Sequence, residues 1–277
     1  MNNVFFKTAH AELIHGDCLD ILEKLPEKSV DMIFADPPYN LSNGGITCHS
    51  GRMVSVNKGE WDKSSGILID HEFEIKWLNA CRRVLKNDGT IWVSGTMHNI
   101  YSVGFALQKL EYRLLNEVCW FKPNAAPNLS CRYFTHSHEI LIWAAKSSES
   151  KHKFNYQAMK AQAGGKQMRS LWSDIDEMPS DIWTITTPKK AEKKYGKHPT
   201  QKPLALVERT ILAATDPGDI VLDPFTGSST TGVAAIRNGR HFIGIDNNVD
   251  YLELSVKRLN EELEYSETNV NLIEEMV

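Results

Sequence analysis

Three short apolar runs, Val30–Ala35, Ile220–Leu222 and His241–Ile245, each stop at an aspartate: Asp36, Asp223 and Asp246. Runs of this length predict buried parallel strands, with ligand-facing groups gathered at their carboxyl ends. Thr90–Ser94, Leu115–Phe121 and Glu139–Ala144 are further strand candidates. Between them lie helical patterns: Glu72–Leu85 ending at Asn87-Asp88-Gly89, Leu204–Ala214 stopped by Asp216-Pro217-Gly218, Thr231–Asn238 stopped by Gly239, and Val249–Glu264. Strands alternating with helices predict an α/β, doubly wound sheet.

Two segments break that rhythm. Residues 40–66, rich in Gly, Ser and Asn with Trp61 near the end, read as a long loop after a strand terminus. Ser147–His198 has no sustained period and reads as a small inserted subdomain. The acidic stretch after Asn260 reads as a frayed helix end.

The 277 residues, 42% hydrophobic and 24% charged, suit one large domain or a core with an insertion, and exclude a disordered or fibrous chain. No apolar run is long enough for a membrane span, and Met1–His10 lacks the pattern of a signal peptide. The expected location is the cytoplasm. The five cysteines are odd in number and form no Cys-x-x-Cys pair, so they read as free thiols, largely buried. His136 and His138 have no companion ligands at metal spacing, and no metal is expected.

Net charge is −4, yet it is unevenly distributed. From Lys146 to Lys202 there are 12 Lys and Arg against 6 Asp and Glu. Lys189, Lys190, Lys193, Lys194, Lys197 and Lys202, with the single acid Glu192 among them, form the densest part. Such a cluster reads either as a phosphate-neutralising patch or as a solvated charged face.

Chemistry concentrates in two turns. Asp223-Pro224-Phe225-Thr226-Gly227-Ser228-Ser229-Thr230-Thr231-Gly232 follows a strand and opens a helix, where free N–H groups and the helix dipole favour polar ligands. Asp246, at the end of the next strand, is placed to accept ribose hydroxyls. The turn lacks the Lys-Ser/Thr of a P-loop and the Gly-x-Gly-x-x-Gly of a dinucleotide site, so it reads as a nucleoside site, or else as a tight structural turn. The second turn is Asp36-Pro37-Pro38-Tyr39. Two prolines withhold two N–H donors, leaving acceptors beside an aromatic face, a setting suited to a flat ligand carrying an amino group.

Together these motifs resemble the S-adenosylmethionine-dependent amino-methyltransferases of DNA. Their catalytic motif is Asp/Asn/Ser-Pro-Pro-Tyr/Phe/Trp, and their cofactor motif is Asp-Pro-Phe-x-Gly-Ser-Gly-Thr-Thr. Here the catalytic motif comes first and His198-Pro199-Thr200-Gln201-Lys202-Pro203 precedes the cofactor motif, the order of the β group. The resemblance extends to Gly16-Asp17 and to Trp120-Phe121-Lys122-Pro123-Asn124, about four fifths of the chain. It implies a Rossmann-like methyltransferase fold with a mostly parallel sheet. Residues 1–146 would carry the catalytic half, 147–197 a basic target-recognition insertion, 198–265 the cofactor half, and 266–277 a tail.

The resemblance also implies roles. Asp36 and the Pro37 carbonyl would accept the hydrogens of the target amine, and Tyr39, following Pro38, would stack on a base flipped out of the duplex. The cofactor S-adenosylmethionine would be held by Asp17, Cys18, Asp36, Asp223, Phe225, Thr226, Gly227, Ser228, Ser229, Thr230 and Asp246, with Thr200 and Lys202 toward its carboxylate. Ser229 replaces the family's usual second glycine, which predicts a negative φ and a slightly altered loop; Asp246 stands where Glu is commoner. Asp at position 36 favours adenine N6, with cytosine N4 as the rival reading and a non-catalytic DNA-binding relative as another. Lys122, Arg132, Lys166, Arg169, Lys189, Lys190, Lys193 and Lys194 are the candidate DNA contacts. Structural roles remain open for Lys122 and Arg132. Implied partners are DNA with a short adenine-containing site, a second copy of the chain, and a restriction endonuclease acting on the same site.

Overall fold

The computed structural model describes residues 3–42, 46–49, 52–55, 59, 62–168, 185–196 and 198–274. Eight strands form one sheet: β1 Val4–Lys7, β2 Ala11–His15, β3 Val30–Ala35, β6 Leu85–Gly95, β7 Arg113–Phe121, β8 His138–Ala145, β9 Ile220–Asp223 and β10 His241–Asp246. Their spatial order is β1-β2-β10-β9-β3-β6-β8-β7. The central five, β2, β10, β9, β3 and β6, are parallel; β1 and β8 run antiparallel to their neighbours.

Helices α1 Cys18–Lys24, α2 Ile67–Val84 and α3 Ile100–Lys109 cover one face, and α5 Leu204–Ala214, α6 Thr230–Arg237 and α7 Val249–Glu274 cover the other. A seventh, α4 Tyr156–Gln162, lies in the insertion. Alternation along the strands supplies both cores. In β3, Ile33 and Ala35 join α1, α2 and α3, while Met32 and Phe34 join α5, α6 and α7. Trp77, Leu78 and Cys81 of α2 fill the first core completely buried, whereas Leu206, Val207 and Ile211 of α5 fill the second.

The two halves of the chain interleave. β9 and β10, more than 180 residues downstream, lie between β2 and β3, so Asp36 and the Asp223 turn leave adjacent strands at the same end. That end is the switch point of the doubly wound sheet, where ligands bind.

Several elements differ from the sequence expectation. Asn87-Asp88-Gly89 does not end a helix by a turn: α2 closes at Leu85, and these residues are already in β6, the Gly89 carbonyl accepting from Lys146 N at 3.1 Å. The long loop after β3 holds a hairpin, β4 Ile46–His49 and β5 Arg52–Ser55. Helix α7 does not fray after Asn260 but runs to Glu274, anchored by Leu259 in the core and by Glu262, whose carboxylate receives Arg237 through bonds of 2.9 and 2.6 Å. The first part of the insertion lies against the body: Asn155 donates to the carbonyls of Leu212 and Thr215, and Lys153 pairs with Asp216 and Asp219. Among the cysteines, Cys18 and Cys81 are buried and Cys131 is exposed.

Candidate active site

Four strand ends at this switch point carry an aspartate. Three of these side chains fold back onto their own turn. Asp17 accepts from Leu19 N at 2.8 Å, Asp223 from Phe225 N at 3.0 Å, and Asp246 from Asn248 N at 2.8 Å. Each is a bond to the amide two residues on, the ordinary aspartate turn. Asp36 cannot make it, because the residue two positions on is Pro38, which has no N–H. Its carboxylate is therefore left for the site.

One side chain of its own turn and one from a distant segment take it up. Lys202 Nζ lies 2.5 Å from Asp36 Oδ2, and Tyr39 donates its hydroxyl to Asp36 Oδ1 at 2.7 Å. The same hydroxyl lies 2.6 Å from Ser94 Oγ, at the end of β6, and 3.1 Å from Glu139 Oε2. Glu139 pairs with Lys122 at 2.7 Å and approaches Lys202 at 3.7 Å. Burial raises the Asp36 carboxyl above its ordinary range, opposed by Lys202 and reinforced by Glu139. Burial also acts to raise Glu139, but Lys202 and Lys122 outweigh it and hold that carboxyl below its ordinary value. Desolvation acts against the Lys202 ammonium, yet Asp36 and Glu139 raise its affinity for the proton, so it is charged.

The backbone of this turn is clamped by Asp62, 1% exposed. Its Oδ1 accepts from Tyr39 N at 3.0 Å, and its Oδ2 accepts from Leu41 N at 3.1 Å and Ser42 Oγ at 2.9 Å. The sequence marks residues 40–66 only as a long loop and gives Asp62 no signal of its own; Trp61 lies outside the described residues.

Beside Asp36 opens a cleft of about 210 Å³ lined by Asp17, Cys18, Asp36, Thr200, Phe225, Gly227 and Asp246, all expected cofactor residues. Pro38, Phe73, His198, Asn247 and Tyr251 are among its other lining residues. Phe225 is set edge-on against Trp77 of α2, ring centroids 5.3 Å apart, which fixes one wall. Asp246 Oδ2 accepts from Gly227 N at 2.8 Å, tying the wall of β10 to the cofactor turn. Gly227 has φ +49, and a Cβ there would meet the His198 ring at 2.9 Å, so its bareness accommodates His198.

The rest of the cofactor turn is built from inside. Asp223 Oδ2 accepts from Thr231 Oγ1 at 2.6 Å, and burial raises this carboxyl to about 7 although both of its donors favour the ionised form. Arg258 of α7 donates to the Ser228 carbonyl, to Ser228 Oγ at 2.9 Å and to Thr230 Oγ1 at 3.1 Å, while Ser255 donates to the Gly227 carbonyl at 2.8 Å. Neither Ser255 nor Arg258 carried a sequence signal, since α7 is remote in the chain. Thr226, Ser228 and Thr230 line only a small inner recess, and Ser229 lines neither opening. The expected negative φ at Ser229 is corrected: it is left-handed, φ 52 and ψ 42, as the glycine it replaces would be. Its hydroxyl, 2.9 Å from Thr226 Oγ1, and its N–H, 2.7 Å from the Thr226 carbonyl, offset a strain of about 1–2 kcal/mol.

Among the candidate DNA contacts, Lys122 belongs to the buried network through Glu139 and also lies over the Trp120 ring, so its charge is paired within the protein. The ammonium of Lys202, the residue expected at the cofactor carboxylate, pairs with Asp36 in this structure. Arg132 is exposed on the 122–137 loop, which leaves β7 at the ligand end and carries Phe134, 97% exposed. Lys189 and Lys190 are exposed near a 3-10 turn Lys190–Lys193, and Lys194 pairs with Glu261 of α7. Trp120 Nε1 donates to the Ile185 carbonyl at 2.7 Å, and Glu192 accepts from Leu204 N at 2.9 Å, which tethers this basic segment between β7 and α5. Lys166 is exposed after α4; Arg169 lies outside the described residues.

With this geometry in view, the comparisons with known proteins decide the family. The model for the N6/N4 DNA methylases matches residues 30–257. The chain belongs to that family. It is similar to the type II methyltransferase M2.LlaDCHI of Lactococcus lactis subsp. cremoris, 51% identical over 266 residues, covering 96% of this chain and 95% of that one. It is likewise similar to M2.DpnII of Streptococcus pneumoniae, 50% identical over 270 residues, covering 97% and 96%. Among solved structures, the M1.HpyAVI-SAM complex superposes with a TM-score of 0.63 at 26% identity, covering 90% of this methylase and 99% of that chain. The cytosine-N4-specific PvuII methyltransferase shares the fold, with a TM-score of 0.70 at 20% identity, covering 92% and 88%. Among the described residues no helix is long and apolar enough to cross a membrane.

Proposed function

We propose that this methylase transfers a methyl group from S-adenosylmethionine to N6 of an adenine flipped out of a short DNA site. The observation that carries the reading is the Asp36 carboxylate, denied its own turn by Pro38 and facing the cleft at the switch point. The cleft's donor set fits the cofactor: the Asp246 carboxylate at a strand end suits ribose hydroxyls, Asp17 suits an adenine amino group, and Phe225 and Phe73 supply apolar walls. When bound, the cofactor supplies an electrophilic sulfonium methyl.

The remaining work falls to the protein. An exocyclic amine is a weak nucleophile because its lone pair is delocalised into the ring, so it must be extruded and its hydrogens accepted. Asp36 and the Pro37 carbonyl accept those hydrogens, shifting electron density to nitrogen, while Asp62 holds the turn at its fixed position. The raised carboxyl of Asp36 then suits it to hold the proton that the methylated amine releases.

Aspartate rather than serine at position 36 favours adenine over cytosine N4. The similarity to type II methyltransferases supports a cognate restriction endonuclease that reads the same site. Nucleoside analysis of DNA from an expressing host, together with single-molecule sequencing, tests the assignment. N6-methyladenine confined to one short motif is expected; N4-methylcytosine in its place would transfer the same machinery to the rival base.

A further inference from the structure

We propose that Lys202 caps the target-amine position in the free enzyme, and that Glu139 is the positioning residue that receives the lysine ammonium when the base enters. The proposal rests on the amino-methylation reading above and adds to it how the site opens.

Lys202 is 6% exposed, and its Nζ covers two groups at once: it lies 2.5 Å from Asp36 Oδ2 and 5.0 Å from the centre of the Tyr39 ring. Those are the acceptor and the aromatic face that an extruded base requires. An ammonium and an exocyclic amine offer the same N–H donors to a carboxylate. The recess that Asp36 and Lys202 share holds about 30 Å³, room for about one water and too small for a base ring while the ammonium stays in place.

A buried ammonium taken from one carboxylate needs another, because an unpaired charge is strongly disfavoured there. Glu139 Oε2 stands 3.7 Å from Lys202 Nζ, and a shift of about 1 Å would make that contact a charged hydrogen bond. Among the described residues Asp36 and Glu139 are the carboxylates within 4.0 Å of Lys202 Nζ, and Glu139 Oε2, which accepts from the Tyr39 hydroxyl at 3.1 Å, keeps a second lone pair for the ammonium. Glu139 is also held in place: Lys122 binds Oε1 at 2.7 Å, and the antiparallel course of β8 brings its second residue to the ligand end.

The test is a double-mutant cycle in the full-length enzyme with cofactor, on a duplex carrying the mapped site and 2-aminopurine beside the target adenine. Glu139→Gln should lower kcat about tenfold and reduce the fluorescence rise that reports extrusion, with the KM for the cofactor within about twofold of wild type. In a Lys202→Met background, where no ammonium needs a new partner, Glu139→Gln should cost less than about twofold. Should Lys202→Met turn over too slowly to measure, the equilibrium fluorescence of the single and double variants should agree. An equal penalty in both backgrounds, by either readout, overturns the proposal, as does a loss of cofactor affinity that accounts for the fall in turnover. If Glu139→Gln does not fold, Glu139→Asp enters the same cycle and should show a smaller penalty, again confined to the background that keeps Lys202. Wild-type protein that methylates no base on this duplex would sink the amino-methylation reading, whereas methylation with an additive cycle would sink only the lysine exchange.

Discussion

The turns after β3 and β9 begin alike, Asp36-Pro37 and Asp223-Pro224, on neighbouring parallel strands, yet they behave in opposite ways. Asp223 is satisfied inside its own turn, by Phe225 N and Thr231 Oγ1, and α7 braces the rest of that turn at Gly227 and Ser228. Asp36 has Pro38 where Asp223 has Phe225, and its partners come from β6, β8 and the segment before α5 only through Tyr39 and Lys202. One missing N–H thus separates an aspartate that builds a loop from one that is available to a substrate.

The largest test of that contrast compares two alanine variants. Asp36→Ala should lower methyl transfer by at least about 10²-fold while cofactor binding stays within roughly tenfold, because most of the cofactor cleft is walled by residues outside the Asp36 turn. Asp223→Ala should reverse the order, costing about 1–3 kcal/mol of stability, a lower melting temperature, and weaker cofactor binding. Near-normal turnover in Asp36→Ala, measured with tritiated cofactor, would place catalysis elsewhere.

A sharper variant alters the donor and leaves the acid. Pro38→Ala restores an N–H two residues after Asp36 and allows the carboxylate to turn inward, as Asp223 does. Turnover should drop about tenfold with little change in melting temperature, the range of one modest hydrogen bond misdirected. An unchanged kcat would show that the prolines only stiffen the turn.

Below the cofactor turn, Trp77 Nε1 donates to Glu74 Oε2 at 2.5 Å, and Trp77 in turn supports Phe225. Burial raises the Glu74 carboxyl from 4.5 to about 8. The folded state therefore holds this proton more tightly than the unfolded chain. Its contribution is complete below the ordinary value of 4.5 and is lost as pH rises through about 8. Asp223, raised to about 7, acts in the same direction. Melting temperature should accordingly fall from pH 5 to pH 8.5, and Glu74→Gln should flatten part of that fall in thermal scans.

The smallest expected effect lies outside both turns. Neutralising Lys189, Lys190 and Lys193 should leave kcat unchanged and reduce the slope of log affinity against log salt by about 0.9 for each phosphate contact removed. Lys194, paired with Glu261, should contribute less than its three neighbours. Fluorescence anisotropy across a salt series checks this; an unchanged slope makes the segment a solvated face.

Both turns, their order and the strands beneath them were legible in the sequence, because short apolar runs ending in Asp-Pro announce their geometry through local backbone chemistry. The run Val30–Ala35 matches β3 residue for residue, and Leu204–Ala214 matches α5. Short elements were not legible: β1, β2 and the two strands of the β4–β5 hairpin are four or five residues long, too short to show a period. The left-handed Ser229 was misjudged because its conformation is imposed by Thr226 and by the turn around it, against the local preference of serine.

The sequence by itself determined the strand-end aspartates, the proline that frees one of them, and the family's signature turns, all consequences of neighbours a few residues apart. Tertiary structure alone decided that Lys202 pairs with Asp36, that Glu139 and Lys122 join it through Tyr39 and Lys202, and that Asp62 clamps the turn. Those contacts span 17 to 166 residues of chain, as the pairs Lys122–Glu139 and Asp36–Lys202 show. They exist because β7, the antiparallel β8 and the segment before α5 deliver remote side chains to one buried end of the sheet, where low polarity compels every charge to find a partner.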